Sequence, residues 1–312
     1  MSGSANGGVV VLSGGVGGAK LVDGLHRLLP AGSLTAIVNT GDDFVHLGLP
    51  VSPDIDTILY TLSEKSNTEL GWGRQGETWS FMEAIKSLGG PDWFRLGDGD
   101  LALHVLRSMA LASGESLSSI TARFSRAWNL HLDIIPMSDA PVGTVLDTDE
   151  GMLAFQDYFV RRRCEPKVRS IRFEGRAAAT PPPRALDAIA EAELLVIAPS
   201  NPWLSIDPIL SIAPLRHALE QRQAPLIAVS PLVRNQAVKG PTAKLMGELG
   251  IEVSNHGIAT HYRGLLDGLL VHGDDDAPVE LAIARTDTLM HSAEDRIRVA
   301  TAVLEFGRKL RQ

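Results

Sequence analysis

The chain is poor in several things, and each shortage closes off a class of protein. Its 312 residues include one cysteine, Cys164. No intramolecular disulfide is therefore possible, a secreted disulfide scaffold is excluded, and a reducing compartment fits. Positive charge is short: 29 Lys and Arg stand against 37 Asp and Glu, a net charge of -8. A general nucleic-acid-binding surface is excluded on that balance. No apolar run approaches the ~18 residues that span a bilayer. The start, Met1 to Gly8, is small and polar and lacks the basic and apolar regions of a signal peptide. Repeats and low-complexity tracts are missing, and no Ser–His–acid or Cys–His arrangement stands out by spacing. The expected address is the cytoplasm, without membrane association.

What is present is ordinary globular composition, 44% apolar and 21% charged, in a chain long enough for one large domain or two moderate ones. Val9–Leu12 is a short β-branched apolar run, which predicts a buried parallel strand. Glycines follow, then helical periodicity over 19–29, with Pro30 and Gly32 as the stop. Leu34–Val38 predicts a second strand, completing a βαβ unit. Helices are expected over 54–62, 77–88, 101–112 and 117–128, and short strands between 132 and 173. Pro181-Pro182-Pro183 reads as a stiff linker. Strands are then expected at 194–198, 226–229, 268–272 and 280–284, and helices at 206–221, 242–249 and 293–310. The fold class is α/β: a Rossmann-like, doubly wound, mostly parallel sheet formed by 1–62 plus 180–312, with a large mixed α+β insertion over 63–179.

Ser13-Gly14-Gly15-Val16-Gly17-Gly18 joins the first strand to the first helix. Four glycines in five residues let backbone approach a ligand closely and reach positive φ. Amides beside the positive end of a helix then suit an anion. Gly14, Gly15, Gly17 and Gly18 are the expected phosphate grip, with Lys20 in reach. The dinucleotide pattern fails at Lys20, where a third glycine belongs, and at Asn39, where an acid would hold a ribose. The P-loop pattern fails at Leu21, where Ser or Thr is needed. Asn39 still stands at the ligand-binding edge of the sheet.

Asn39-Thr40-Gly41-Asp42-Asp43 and Ser52-Pro53-Asp54-Ile55-Asp56-Thr57 place four aspartates within one 15-residue stretch, 42–56, downstream of that loop. Carboxylates suit Mg²⁺, which takes one or two of them plus phosphate oxygens and water. The competing reading is capping: Asp54 stands where a helix N-cap belongs, and Asp42 and Asp43 suit a turn. The stretches 72–79 and 91–100 hold three of the five tryptophans amid glycines, arginines and acids, a mixture that suits a flat heterocycle or a core. Asp98 is expected to cap the following helix and His104 to be a core histidine. Ser200, Asn201 and Ser230 follow buried strands and offer hydrogen bonds to a base or phosphate, in competition with turn chemistry. Arg161-Arg162-Arg163 reads as a solvated face.

Taken together, these stretches resemble the 2-phospho-L-lactate transferase family of coenzyme F420 biosynthesis. Further matches lie at Trp72-Gly73, Glu77-Thr78, Leu96-Gly97-Asp98, Pro136-Met137-Ser138-Asp139, Phe155-Gln156-Asp157, Pro199-Ser200-Asn201-Pro202 and Lys239-Gly240-Pro241. The resemblance implies a Mg²⁺-dependent transfer of a phosphoacyl group from a guanosine-diphosphate-linked acid to the deazaflavin Fo, with release of GMP. It implies Asp42 and Asp54 as metal ligands, Asp56 and Arg95 beside Fo, one aspartate as proton acceptor, and Ser200, Asn201 and Ser230 around the guanosine diphosphate. It also implies a homodimer. Two departures concern the acid tail: many members carry Asn where this chain has Gly76 and Arg where it has Gly99, so lactate, enolpyruvate and glycerate donors all stay open. The alternatives are a non-enzymatic nucleotide-binding regulator, since a related regulator family has a similar glycine-rich start, and a nicotinamide-dependent oxidoreductase.

Overall fold

A computed structural model describes residues 8–312. The expectation for the polar start falls on residues 1–7 and so lies outside the described residues. From the start the order is β1 (Val9–Ser13), α1 (Gly15–Leu28), β2 (Leu34–Val38), then a small ribbon of β3 (Phe44–His46) and β4 (Leu49–Val51). Helices α2 (Pro53–Leu62), α3 (Ser80–Ser87), α4 (Asp100–Ala112) and α5 (Leu117–Ala127) follow. Next are β5 (Asp133–Pro136), β6 (Gly143–Thr148), β7 (Gly151–Ala154), β8 (Val168–Glu174) and α6 (Pro183–Glu191). The last stretch holds β9 (Leu194–Ile197), α7 (Asp207–Leu210), α8 (Ala213–Glu220), β10 (Leu226–Val229), the hairpin β11 (Leu232–Val233) and β12 (Gln236–Ala237), α9 (Thr242–Glu248), α10 (Asn255–His261), β13 (Gly268–His272), β14 (Ala282–Thr286) and α11 (Ala293–Leu310).

Seven strands form one sheet in the order β14-β13-β10-β9-β1-β2-β5, and every pairing in it is parallel. The chain starts in the middle at β1, steps out through β2 to β5, then returns to β9 and steps out the other way. The direction of winding therefore reverses between β1 and β9. In open α/β sheets ligands bind in the crevice at that reversal, beyond the carboxyl ends of the strands. Strand alternation sorts the core into two layers. Val9 and Val11 pack with Leu21 and Leu25 of α1 and Val303 of α11. Val10 and Leu12 pack with Ile189 of α6 and Leu215 of α8. Both faces are covered, which is why β1, β2, β9 and β10 read as continuous apolar runs rather than alternating ones.

The structure departs from the sequence reading in places with physical causes. β5 comes from within 63–179, yet it pairs with β2 in the main sheet, while β6, β7 and β8 form a separate antiparallel sheet. The triple proline is not simply a linker, because Pro183 opens α6, a position where its missing N–H costs nothing. The single helix expected over 206–221 is broken into α7 and α8, each with a proline in its first turn. Helix α1 starts at Gly15, earlier than the periodicity suggested, so Gly15, Gly17 and Gly18 lie inside its first turn.

Candidate active site

A cavity of ≈ 1020 Å³ opens at the carboxyl ends of the sheet strands. Its wall includes Gly14, Gly15, Gly17, Lys20, Asn39, Asp42, Asp54, Asp56, Arg95, Ser200, Asn201 and Ser230. Most are delivered by the segments after β1, β2, β9 and β10, which flank the winding reversal, while Asp54 and Asp56 come from α2 and Arg95 from the segment between α3 and α4. Gly18 is the exception. It lies outside the lining, and a side chain there would run into the hydroxyls of Ser13 and Ser200. It serves close packing between the loops after β1 and β9 rather than contact with a ligand. Gly17 is held just as tightly, since a Cβ would stand 2.6 Å from the carbonyl oxygen of Pro199. Gly15 has φ 64°, the left-handed region where a glycine escapes the usual steric cost.

The glycine turn and the aspartates form one unit. Gly15 N–H donates to Asp54 Oδ1 at 2.6 Å. Asn39 Nδ2 donates to Asp54 Oδ2 at 2.9 Å and to Asp42 Oδ1 at 3.3 Å. Gly41 N–H in turn donates to Asn39 Oδ1 at 2.8 Å, fixing which way the amide points. Asp54 therefore does not cap its own helix, where Ser52 takes the N-cap position. Its carboxylate sits at the amino end of α1 instead, where a negative group meets the positive pole of the helix.

Burial and mutual repulsion control this cluster. Burial holds Asp54 up at about 6, against the opposing help of Asn39 and Gly15. Asp42 is pushed well above the carboxylate range, by burial first and then by the charges of Asp54 and Asp43. Asp43 is raised as well, chiefly by burial, although Ser52 Oγ donates to it at 2.6 Å. Two buried acids that share a single amide donor have a chemistry that fits a cation. No group of three or more His, Cys, Asp or Glu side chains able to hold a metal ion occurs among the described residues. A Mg²⁺ ion here would rest on Asp42 and Asp54 and draw its other ligands from substrate and water, which is its usual preference.

Asp56 behaves differently. Its oxygens face Nη1 and Nη2 of Arg107, Nη1 at 3.1 Å. Arg107 is 1% exposed and also reaches His104 Nδ1 at 3.3 Å. His104 Nε2 lies 3.2 Å from Asp100, which accepts the hydroxyl of Tyr60. Asp56 and Tyr60 are one turn apart on α2. Asp100, His104 and Arg107 share one face of α4. The two helices are thus joined by a buried ionic seam beneath the cavity. Sequence reading missed Arg107, although its spacing to Asp100 and His104 is the signal that would have found it.

The aromatic segments form the far wall. The Arg95 guanidinium stacks over Trp79 at 4.1 Å, and Trp72 lies 6.4 Å from Trp79. Trp93 packs against Phe44, His46 and Phe94, and Arg161 stacks on it at 4.4 Å. Arg161 is thus partly a stacking residue rather than a purely solvated charge. Asp98 accepts the amides of Ser80 and Phe81, so it caps α3 and not the helix that follows it. Ser200, Asn201 and Ser230 are engaged within the protein. Ser200 Oγ donates to Gly14 O at 2.7 Å. Asn201 Oδ1 accepts the amides of Trp203 and Leu204, each at 3.0 Å. Ser230 Oγ donates to Asn255 Oδ1 at 2.6 Å. These bonds shape the turns under the cavity. Lys20 lines the cavity as well, and burial first, then Arg296 and Lys239, lower its pKa.

Comparison with known proteins bears on the family and the fold. The family model described as 2-phospho-L-lactate transferase CofD matches residues 9–303. A 2-phospho-L-lactate transferase of Methanosarcina mazei is 38% identical, over 95% of this chain and 99% of that protein. One from Methanopyrus kandleri is 39% identical, over 97% and 98%. A phosphoenolpyruvate transferase of Streptomyces griseus is 39% identical, over 87% of each chain. Among solved structures, a UPF0052-family protein from Bacillus halodurans superposes with a TM-score of 0.63 at 18% identity, over 97% of this chain and 100% of that one. That last likeness concerns the fold alone.

Proposed function

We propose a reaction for this chain from one premise: it belongs to the 2-phospho-L-lactate transferase family and is a transferase. The reaction is transfer of a phosphoacyl group from a guanosine-diphosphate-linked acid to the deazaflavin Fo, with GMP as the leaving product, in coenzyme F420 biosynthesis. The observation that carries it is the bond from Gly15 N–H to Asp54, which joins an anion-binding helix end to an acid cluster in one cavity. A nicotinamide oxidoreductase is disfavoured, because Asn39 uses its amide on Asp42 and Asp54 and offers no acid to a ribose.

In this reading the oxygen of Fo's terminal ribityl hydroxyl forms a bond to the phosphorus that carries the acid. The bond from that phosphorus to the oxygen shared with the GMP phosphorus breaks, and its electron pair leaves with GMP. The hydroxyl proton passes to a carboxylate. Asp42 and Asp54 would hold Mg²⁺, which would supply charge neutralisation at the diphosphate. The amino end of α1 and Lys20 add positive potential on the same side. Asp56 is tied to Arg107 through both oxygens, so the proton acceptor is a carboxylate oxygen of Asp42 or Asp54 that the metal would leave uncoordinated. Trp72, Trp79 and Arg95 offer flat faces to the deazaflavin. Ser200, Asn201 and Ser230 shape the turns that receive the guanosine diphosphate.

We also propose a cytoplasmic homodimer. An apolar stripe of α4 faces outward, with Val105 43%, Leu106 46% and Met109 64% exposed, and a second copy of the chain is its natural cover. The reaction is tested by incubating the protein with Fo, Mg²⁺ and each of the lactyl, enolpyruvyl and glyceryl guanosine-diphosphate esters. GMP and a phosphodiester of Fo should appear together with at least one donor. Absence of GMP with all three rejects the proposal.

A further inference from the structure

Glu77 and Arg74 form a pair whose place is secured by two glycines. Arg74 Nη1 donates to Glu77 Oε1 at 3.2 Å, and the other oxygen, Glu77 Oε2, accepts Gly99 N–H at 2.6 Å. A side chain at Gly97 would collide with the Glu77 carboxylate, and one at Gly99 with the Arg74 guanidinium. Glu77 is 4% exposed at its side chain and Arg74 33%. The backbone under Arg74 is anchored too. It bridges to Ser66, with Asn67 N–H on Gly73 O at 2.9 Å and Gln75 N–H on Lys65 O at 2.7 Å. Both side chains line the cavity that holds Asp54 and Lys20.

This arrangement aims a guanidinium. Glu77 occupies Nη1, while Nε and Nη2 make no hydrogen bond among the described residues. What remains is a planar donor edge on the cavity wall, at the amino end of α4. Such an edge matches an anion with two coplanar oxygens, so a carboxylate suits it better than a neutral ring. The α1 terminus, Lys20 and a cation held by Asp42 and Asp54 would serve the phosphates in the same cavity. We infer that Arg74, held by Glu77 and accommodated by Gly99, binds the carboxylate of the transferred phosphoacyl group and selects donors that carry one. This inference rests on the transferase reading above and names what sets its donor preference. Arg74 is a specificity residue in it, and Glu77 a positioning residue.

The test compares two donors, the lactyl guanosine-diphosphate ester and the matching ethyl ester, which differ only in the carboxylate. The readout is the ratio of kcat/KM for the two. Wild type should favour the lactyl ester about 10- to 100-fold, the range of a charge-assisted hydrogen bond. Arg74→Ala should bring the ratio near one, Arg74→Lys should recover part of it, and the KM for Fo should not move. Gly99→Ala keeps every charge but displaces the guanidinium, and it should lower the ratio as well. Its φ of -75° accepts alanine without backbone strain. A purely structural role would slow both donors equally and leave the ratio intact, which overturns the inference. A rise in the Fo KM alone also overturns it by moving Arg74 to the acceptor side, and so does an equal weakening of the variants' affinity for GDP, which carries no carboxylate. No GMP release by wild type from any donor rejects the transferase reading and this inference together. Wild-type turnover with an unaltered ratio in Arg74→Ala rejects this inference alone.

Discussion

Arg107 grips Asp56 with both terminal nitrogens of its guanidinium, inside the core and directly beneath the cavity. A buried pair of this kind adds little net stability, yet breaking it is costly because the surviving charge stays buried. Arg107→Met should therefore lower the unfolding free energy by about 3–5 kcal/mol. Asp56→Asn combined with Arg107→Met should lose less than the single change. Urea titrations of the three proteins measure this, and strictly additive losses would argue against the coupling.

The acid cluster gives a pH prediction with a definite sign. Asp54 titrates at about 6 in the fold, above the ordinary carboxylate range. As pH rises from that range through about 6, the folded chain holds a proton that the unfolded chain has released, so this group's contribution to stability falls. Mg²⁺ competes with that proton. Millimolar Mg²⁺ should raise the melting temperature at pH 8 and have a much smaller effect at pH 5. Equal shifts at both pH values would remove Asp54 from the cation site.

Relief of the same buried charge separates stability from activity. Asp54→Asn should melt higher than wild type at pH 8 without Mg²⁺, while turnover drops by at least two orders of magnitude. Asp42→Asn should impair turnover and blunt its Mg²⁺ dependence. Wild-type kinetics in Asp42→Asn would exclude that residue from the metal site.

Close packing of the loops after β1 and β9 is tested at Gly17. A methyl group there meets the Pro199 carbonyl, a backbone atom that moves only with its loop. Gly17→Ala should destabilise by about 1–3 kcal/mol and weaken donor binding, since both loops shape the same wall. Thermal melts and donor KM values check it together.

The apolar stripe of α4 predicts the assembly state. Leu106→Glu or Met109→Glu should yield a folded monomer in analytical ultracentrifugation, where the parent sediments as a dimer. A monomeric parent would show that the stripe has some other use.

Much was legible along the chain because it is local. Val9–Leu12 announced a buried strand by composition, and the glycines after it announced a close backbone approach. Asp42, Asp54 and Asp56 stood close to one another in sequence, and the motif order matched one family from end to end. The tertiary structure decided what each group does with its neighbours. Asp54 caps α1 rather than its own helix, Asp98 caps α3, and Gly18 packs between loops. Asp56 belongs with Arg107, 51 residues away, and Gly99 makes room for Arg74. Pattern and propensity report the chain within one turn or one strand. Hydrogen-bond partners and burial depend on which elements the sheet brings together, and the winding reversal between β1 and β9 set those neighbours.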